Sequence, residues 1–168
     1  MTTTEAASAL QEEIVGHFES RTLFQWGIAD ASDNRLLGTC TLASLSEQHR
    51  RAELGYALSR AHWGKGYVQE ALPALLDFAF ETLDLHRIEA DVDPRNAASI
   101  RVLERLHFQR EGYLRERYHM LGEVQDAYWY GLLKPQWQAA TRKSAGMLQD
   151  SLRDAHGAAP HQSDQLER

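Results

Sequence analysis

Residues 52–72 read AELGYALSRAHWGKGYVQEAL, in which a strand pattern is followed closely by a helix pattern. Apolar and polar residues alternate from Ala52 to Leu58, which is typical of a β-strand with one buried face. After the Gly-Lys-Gly sequence at 64–66, apolar residues recur at helical spacing from Val68 to Leu83. The stretch therefore predicts a strand that runs through a glycine-containing loop directly into a helix.

The Gly64-Lys65-Gly66 loop has the chemistry of an anion site. Glycines let main-chain N–H groups approach an anion closely, and the start of a helix adds partial positive charge. The P-loop spacing fails because no Ser or Thr follows Lys65, and the dinucleotide fingerprint fails because Gln69 stands at its third glycine. The residues alone leave two alternatives, another phosphate-bearing ligand or a plain strand-to-helix turn.

Helical and strand patterns also precede this stretch. The spacing of apolar residues predicts an amphipathic helix over Thr4–Ser20. Strands are predicted over Leu23–Ala29 and Leu36–Leu45, with turn residues between them. Together with Ala52–Leu58 they form an antiparallel meander.

The second half of the chain predicts further strands and helices. Pro73 lies inside the helical pattern, so we expect a kink there or a helix that begins later. Ile88–Val92 alternates as a short strand, and Asn96 is a candidate N-cap for the next helix. The buried face of that helix is predicted to consist of Ile100, Leu103 and Leu106.

A final strand pair and a polar tail complete the chain. Arg110–Met120 and Val124–Leu133 are predicted as a hairpin, and Pro135 is expected to end the regular structure. We therefore predict one domain over residues 1–138 and a polar C-terminal tail over 139–168, disordered or loosely helical around Met147–Leu152. The order of elements indicates a mixed α/β (α+β) sheet.

Composition excludes several classes of protein. The formal charge is −6 and Lys and Arg are not clustered, which argues against nucleic acid and mildly favours a cationic substrate. The absence of a long apolar window or signal peptide predicts no membrane span and a cytoplasmic location. Cys40 is the only cysteine and is predicted to be buried in a strand. The histidines are scattered, so we predict that they are surface residues and that there is no metal site.

Several segments together resemble the GNAT superfamily, and most closely its ribosomal-protein-alanine N-acetyltransferase (RimJ/RimL) branch. The likeness runs from about Leu23 to Lys134. Its motifs are Ala-Glu-Leu-Gly-Tyr-Ala-Leu at 52–58, Trp-Gly-Lys-Gly-Tyr at 63–67, Asp-Pro-Arg-Asn-Ala-Ala-Ser at 93–99, Arg-Val-Leu-Glu-Arg-Leu-His-Phe at 101–108 and Glu-Gly-Tyr-Leu-Arg at 111–115. The resemblance implies a mostly antiparallel sheet with helices on both faces and a splayed strand pair.

The resemblance also implies acetyl-CoA as co-substrate and no metal. The pantetheine arm would lie between the splayed strands and pair with main chain near Ala57 and Leu58. Asn96 and Ser99 would reach the pantetheine and thiol end. The amides of the loop and first helical turn would hold the pyrophosphate, namely those of Trp63, Gly64, Lys65, Gly66, Tyr67 and Val68.

The chain departs from the family pattern at three points. Ala61 stands where the family has Gln or Arg, so that pyrophosphate contact is either absent or supplied by His62 or Lys65. His107 stands where a Gly usually follows the helix, which predicts a strained left-handed turn. The family usually has a strand and helix ahead of Thr4, so we expect a start shortened relative to the family.

Acetyl transfer to an amine requires a group that removes a proton, because a free amine is mostly protonated near pH 7. Glu53 is our candidate base, directly or through water, and a bland strand carboxylate is the alternative. Ser99 is the candidate donor to the leaving thiolate, with Tyr113 or Tyr128 in reserve, although Ser99 is also placed to cap a helix. Cys40 is not expected to be acetylated, because direct attack needs no covalent enzyme intermediate.

Two functional hypotheses follow. The first is an acyltransferase that acetylates the α-amine of a protein N-terminus or a small-molecule amine, as a monomer or homodimer. The second is a non-catalytic acyl-CoA-binding or regulatory module. The aromatic residues would line an acceptor channel or, more simply, pack the sheet; they are Phe24, Trp26, Trp129 and Tyr130.

Overall fold

The computed structural model describes residues 23–120 and 122–157. The predicted helix at Thr4–Ser20 lies outside these residues. In the described part the strands are β1 (Phe24–Ala29), β2 (Leu36–Ser46), β3 (Arg51–Leu58), β4 (Arg87–Val92), β5 (Gln109–Met120) and β6 (Glu123–Leu133). The helices are α1 (Tyr67–Asp77), which continues into a π-helical turn at Phe78–Thr82, α2 (Ala97–Arg105) and α3 (Lys134–Gly157). A 3₁₀ turn at Arg60–His62 follows β3.

The strands form one sheet in the order β1-β2-β3-β4-β6-β5. Every neighbouring pair is antiparallel except β3 and β4, which are parallel because α1 crosses over between them. That parallel pair is short. Its register ends at Glu53↔Glu89, whereas β3 continues to Leu58 and β4 to Val92. The predicted mixed, mostly antiparallel sheet with a splayed pair is therefore confirmed.

One face of the sheet carries the core. Ala52 and Leu54 of β3 and Ile88 of β4 are buried on this face, against Leu72 and Leu76 of α1. Side chains that pack on one sheet face recur at every second residue, which is why the alternation in the sequence predicted these strands. The described helices all contribute to this single core. A helix on the opposite face stays a prediction.

Helix α1 begins directly after the glycine loop. Gly66 is its N-cap in a left-handed conformation, and Pro73 lies inside the helix. The alternative of a later start is therefore wrong. A buried apolar stripe of α1 packs on the sheet, and this packing outweighs the missing hydrogen bond of one proline.

Helix α2 has a defined cap at each end. The Asn96 side chain accepts a hydrogen bond from the Ser99 N–H at 3.1 Å, as predicted. At the other end the His107 N–H binds the Glu104 carbonyl and the Phe108 N–H binds the Leu103 carbonyl, both at 3.0 Å. These two bonds form a Schellman motif, and His107 takes the predicted left-handed conformation with a φ of 68°.

The prediction that Pro135 ends the regular structure is wrong, because α3 starts at Lys134 and runs to Gly157. Proline is tolerated in the first turn of a helix, where its missing N–H has no intrahelical partner. Trp137 anchors α3 by donating its indole N–H to Asp77 Oδ1 at 2.7 Å. The division into a domain over 1–138 and a tail over 139–168 stays a prediction.

None of the described helices is long and apolar enough to cross a membrane.

Candidate functional site

A cavity of about 430 Å³ opens where β3 and β4 part. It lies between the end of β3, the loop that follows, the first turn of α1 and one face of α2. Its lining residues are Tyr56, Ala57, Leu58, Trp63, Gly64, Gly66, Tyr67, Val68, Gln69, Asn96, Ala98, Ser99, Arg101, Val102 and Arg105. One site therefore joins the glycine loop to the end of β3 that has parted from β4.

The loop has the backbone conformation that only glycine adopts without strain. Gly64 has a φ of 73° and Gly66 a φ of 88°. A Cβ atom added at either position would meet no atom within 4 Å, so these two glycines face open space. The main chain of the loop is thus accessible to a ligand at the positive end of the α1 dipole.

Trp63 closes the end of β3 against the loop. Its indole N–H donates a hydrogen bond of 2.7 Å to the Leu58 carbonyl, while 63% of the residue surface stays exposed. The bond ties the loop to the strand across which the pantetheine arm is predicted to run. Trp63 therefore lines the cavity while its ring is held to the end of β3 by this bond.

The wall opposite β3 is the start of α2. The Tyr56 hydroxyl donates to the Ser99 main-chain carbonyl at 3.4 Å and connects the two sides of the split. Burial raises the pKa of Tyr56, and the bond to Ser99 opposes that shift in part. Tyr56 therefore stays a neutral hydrogen-bond donor near pH 7. Its bond places the first turn of α2, with Asn96 and Ser99, beside the unpaired half of β3.

The family of the chain follows from its sequence. Residues 1–109 match the family described as acetyltransferase (GNAT) domain. The chain belongs to the GNAT family. It is 43% identical over 104 residues to the uncharacterized N-acetyltransferase p20 of Bacillus licheniformis, which covers 62% of this chain and 58% of that protein.

Other GNAT relatives agree with this assignment. The chain is 30% identical over 115 residues to the ribosomal protein uS5-alanine N-acetyltransferase of Escherichia coli, covering 68% of this chain and 59% of that one. The chain thus matches less than two thirds of the length of either curated relative. A dodecameric structure of spermidine N-acetyltransferase from Vibrio cholerae superposes with a TM-score of 0.70 at 27% identity, over 77% of this chain and 75% of that one.

Most of the GNAT residues predicted to bind the cofactor line the cavity. Lys65 and His62, the two predicted substitutes for the missing pyrophosphate contact, do not line it. The residues that do are Ala57, Leu58, Trp63, Gly64, Gly66, Tyr67, Val68, Asn96 and Ser99. Their individual roles remain predictions.

Glu53 lies where the splay begins. It alternates with the buried Ala52 and Leu54, so its half-buried side chain points to the sheet face opposite the helices. Its neighbour in register is Glu89, which is only 8% exposed. Glu53 is therefore separated from the core and borders the gap between the strands.

Glu89 itself is neutralised by arginines. Its carboxylate accepts hydrogen bonds from Arg51 Nη1 at 2.7 Å and from Arg87 Nε at 2.8 Å. Arg87 in turn pairs with Glu111. Burial of a carboxylate costs less free energy when the group is paired and hydrogen-bonded in this way. Glu89 is therefore engaged by two arginines, and a role for its neighbour Glu53 as a base stays a prediction.

Of the three predicted catalytic residues, Ser99 lines the cavity, and neither Glu53 nor Tyr113 does. Tyr113 is on β5, is 52% exposed and does not line the cavity. Its hydroxyl is hydrogen-bonded to the Asp126 carboxylate, which raises the pKa of Tyr113. The reserve candidate Tyr128 packs beside it, with ring centroids 5.6 Å apart. Ser99 is thus the one predicted thiolate donor at the cavity.

Arg101 and Arg105 were not among the predicted cofactor-binding residues. Both line the cavity from α2. They are four residues apart, so they lie on one face of the helix. Their spacing of four residues, on the side of the helix away from Leu103 and Leu106, could have indicated from the sequence that both arginines face the cavity.

The remaining predictions concern residues away from the cavity. Cys40 is 4% exposed, as predicted, and burial raises the pKa of its thiol. Phe24 and Tyr130 are buried in the core, which favours packing over a channel for these two aromatic residues. Among residues 23–120 and 122–157, no cluster of His, Cys, Asp and Glu is arranged to hold a metal ion.

Proposed function

We propose that this chain is an N-acetyltransferase that transfers the acetyl group of acetyl-CoA to a primary amine by direct attack in a ternary complex. One observation supports this most strongly. A glycine loop at a helix start and the end of β3 that is not paired with β4 line the same cavity. A donor with a diphosphate and an extended pantetheine arm needs both features at once.

The lining of the cavity fits coenzyme A. The amides of residues 63–68 would bind its diphosphate, because the loop is accessible and lies at the positive end of α1. Main chain at Ala57 and Leu58 would pair with the pantetheine arm, since β3 has no partner strand on that side beyond Glu53 among the described residues. Bound there, acetyl-CoA supplies an activated thioester carbonyl.

Glu53 takes the proton that the acceptor must lose. The amine nitrogen forms a bond to the acetyl carbon, the carbon–sulfur bond breaks, and the amine proton passes to the Glu53 carboxylate directly or through one water. Ser99 donates a hydrogen bond from its hydroxyl to the departing sulfur. The Leu58 N–H is the candidate donor to the carbonyl oxygen on which charge develops.

The acceptor is an amine of one of two kinds. The E. coli relative is named for the alanine of a ribosomal protein and the V. cholerae structure for spermidine. We propose a peptide N-terminal α-amine or a small-molecule amine for this chain. A cytoplasmic location and a monomeric or homodimeric state stay predictions.

The test is release of free thiol from acetyl-CoA with a panel of amines and short peptides. Glu53→Gln is expected to lower kcat by about a hundredfold, the usual size for loss of a general base, while the affinity for CoA is unchanged. Glu81→Gln, at the far end of the π-helical turn, is the matched control and should leave both unchanged. If CoA binds but no acceptor supports turnover, the chain is an acyl-CoA-binding module instead.

A further inference from the structure

The cavity differs in charge from the rest of the molecule. The chain has a formal charge of −6. Among the described residues that line the cavity, Arg101 and Arg105 are charged and none is an Asp or Glu. The cavity is therefore positive in an otherwise acidic protein, which attracts an anion.

Repulsion between the two arginines lowers the stability of the protein when no ligand is bound. They are four residues apart on α2, where like charges repel each other. Both are exposed, and within residues 23–120 and 122–157 neither forms an ion pair. Arg105 instead donates to Gln69 Oε1 at 3.1 Å, which holds it beside the first turn of α1. Such a pair is stabilised when an anion lies between or beside the two guanidinium groups.

The diphosphate does not account for both arginines. The loop amides and the α1 dipole already provide donors for it, whereas both arginines belong to α2. Coenzyme A carries one more anionic group, the 3′-phosphate of its ribose, with nearly two negative charges at pH 7. A guanidinium is the side chain best suited to a phosphate, because its N–H groups form paired hydrogen bonds.

We propose that Arg101 and Arg105 bind the 3′-phosphate of the acyl donor and make the enzyme select 3′-phosphorylated coenzyme A over its dephosphorylated form. This inference rests on the proposed function, because it concerns the same donor. It adds a specificity determinant at α2. A donor that lacks the 3′-phosphate keeps the contacts to the loop and to β3 but loses those to this helix.

The experiment measures dissociation constants for CoA and 3′-dephospho-CoA by calorimetry. The native protein should bind CoA at least about tenfold more tightly, as expected for a charged hydrogen-bonded phosphate. Arg101→Met and Arg105→Met should each weaken CoA severalfold and leave 3′-dephospho-CoA within a factor of about two. The double variant should show no preference.

Arg35→Met is the matched control, since it removes one exposed positive charge from the β1–β2 hairpin and should preserve the preference. Arg105 is also in the last turn of α2, where it favours the helix dipole, so thermal unfolding of each variant is recorded. Equal affinity of the native protein for both ligands would overturn the inference. Equal weakening of both ligands in the arginine variants would overturn it too, because the arginines would then bind the diphosphate. Failure to bind either ligand would instead refute the proposed function.

Discussion

His107 ends α2 in a conformation that suits glycine better than histidine. Its φ is 68°, yet both hydrogen bonds of the Schellman motif are formed. Phe108 and Leu103 supply the hydrophobic contact that accompanies this motif, and both are buried. The packing of these two side chains holds His107 in a left-handed conformation that costs about 1 kcal/mol.

Replacing His107 with glycine should therefore stabilise the protein. We expect His107→Gly to raise the free energy of unfolding by about 0.5–1 kcal/mol, because removal of the Cβ relieves strain that exceeds the added entropy of the unfolded chain. Urea denaturation at pH 7 measures this difference. His107→Ala keeps the Cβ and is the control, so an equal gain in both variants would show that strain is not the cause.

The glycine at position 131 is explained by contacts between strands. A Cβ atom added at Gly131 would lie 2.6 Å from Arg87 Nη2 and 2.6 Å from Glu111 Oε1. The Arg87–Glu111 pair therefore lies directly over Gly131 on β6. No local pattern around Gly131 indicates this, since Arg87 and Glu111 belong to two other strands.

The loop between β3 and α1 and the turn between β5 and β6 each contain a glycine in a left-handed conformation. Gly64 and Gly122 have φ values of 73° and 82°, and a Cβ at either would meet no atom within 4 Å. The two glycines thus impose the same backbone strain on a substitution. Only Gly64 lines the cavity.

This pair separates strain from ligand contact. Gly64→Leu and Gly122→Leu should each lower the free energy of unfolding by about 1–2 kcal/mol. Gly64→Leu alone should weaken CoA binding, by at least about tenfold, because its side chain enters the space between the loop amides and the diphosphate. Calorimetric titration of both variants measures this. Unchanged affinity in Gly64→Leu would place the diphosphate elsewhere.

At the scale of the whole molecule, paired carboxylates set the response to acid. Hydrogen bonds from Arg87 lower the pKa of Glu111, and those from Arg95 lower the pKa of Asp93. Bonds from Tyr113 and Lys134 lower the pKa values of Asp126 and Asp84. Because these pKa values are lower in the folded state, their stabilisation is complete above the pKa of the unfolded chain, about 4.

Stability should therefore be constant between pH 7 and about pH 5 and fall below about pH 4.5, as the pH passes down through the folded-state pKa values. Glu111→Gln should lower the free energy of unfolding at pH 7 by about 1 kcal/mol or less, since the Glu111 side chain is 41% exposed. It should also reduce the loss between pH 5 and pH 3. Urea denaturation at a series of pH values measures both effects. Glu81→Gln serves as the control, and a native protein equally stable at pH 3 would contradict this account.

Local patterns determined much of this protein. The chain itself predicted correctly the strand at residues 52–58, the helix from Val68 onward and the Asn96 cap. It also predicted that the glycine loop leads directly into a helix. Such features depend on residues within a few positions of one another, because burial of one face imposes a period on the sequence. The family resemblance then added the prediction that β3 and β4 part and that acetyl-CoA is the acyl donor.

Other features of the protein depend on how distant segments of the chain pack together. Three of them follow from the relative placement of segments far apart in the chain. They are the length over which β3 and β4 pair, the hydroxyl that is hydrogen-bonded to Asp126, and the α2 side chains that line the cavity. Helix α3 also depends on a distant segment, since Trp137 is hydrogen-bonded to Asp77 in α1. Local composition described α3 as polar, and packing against distant residues made its first turns part of the core.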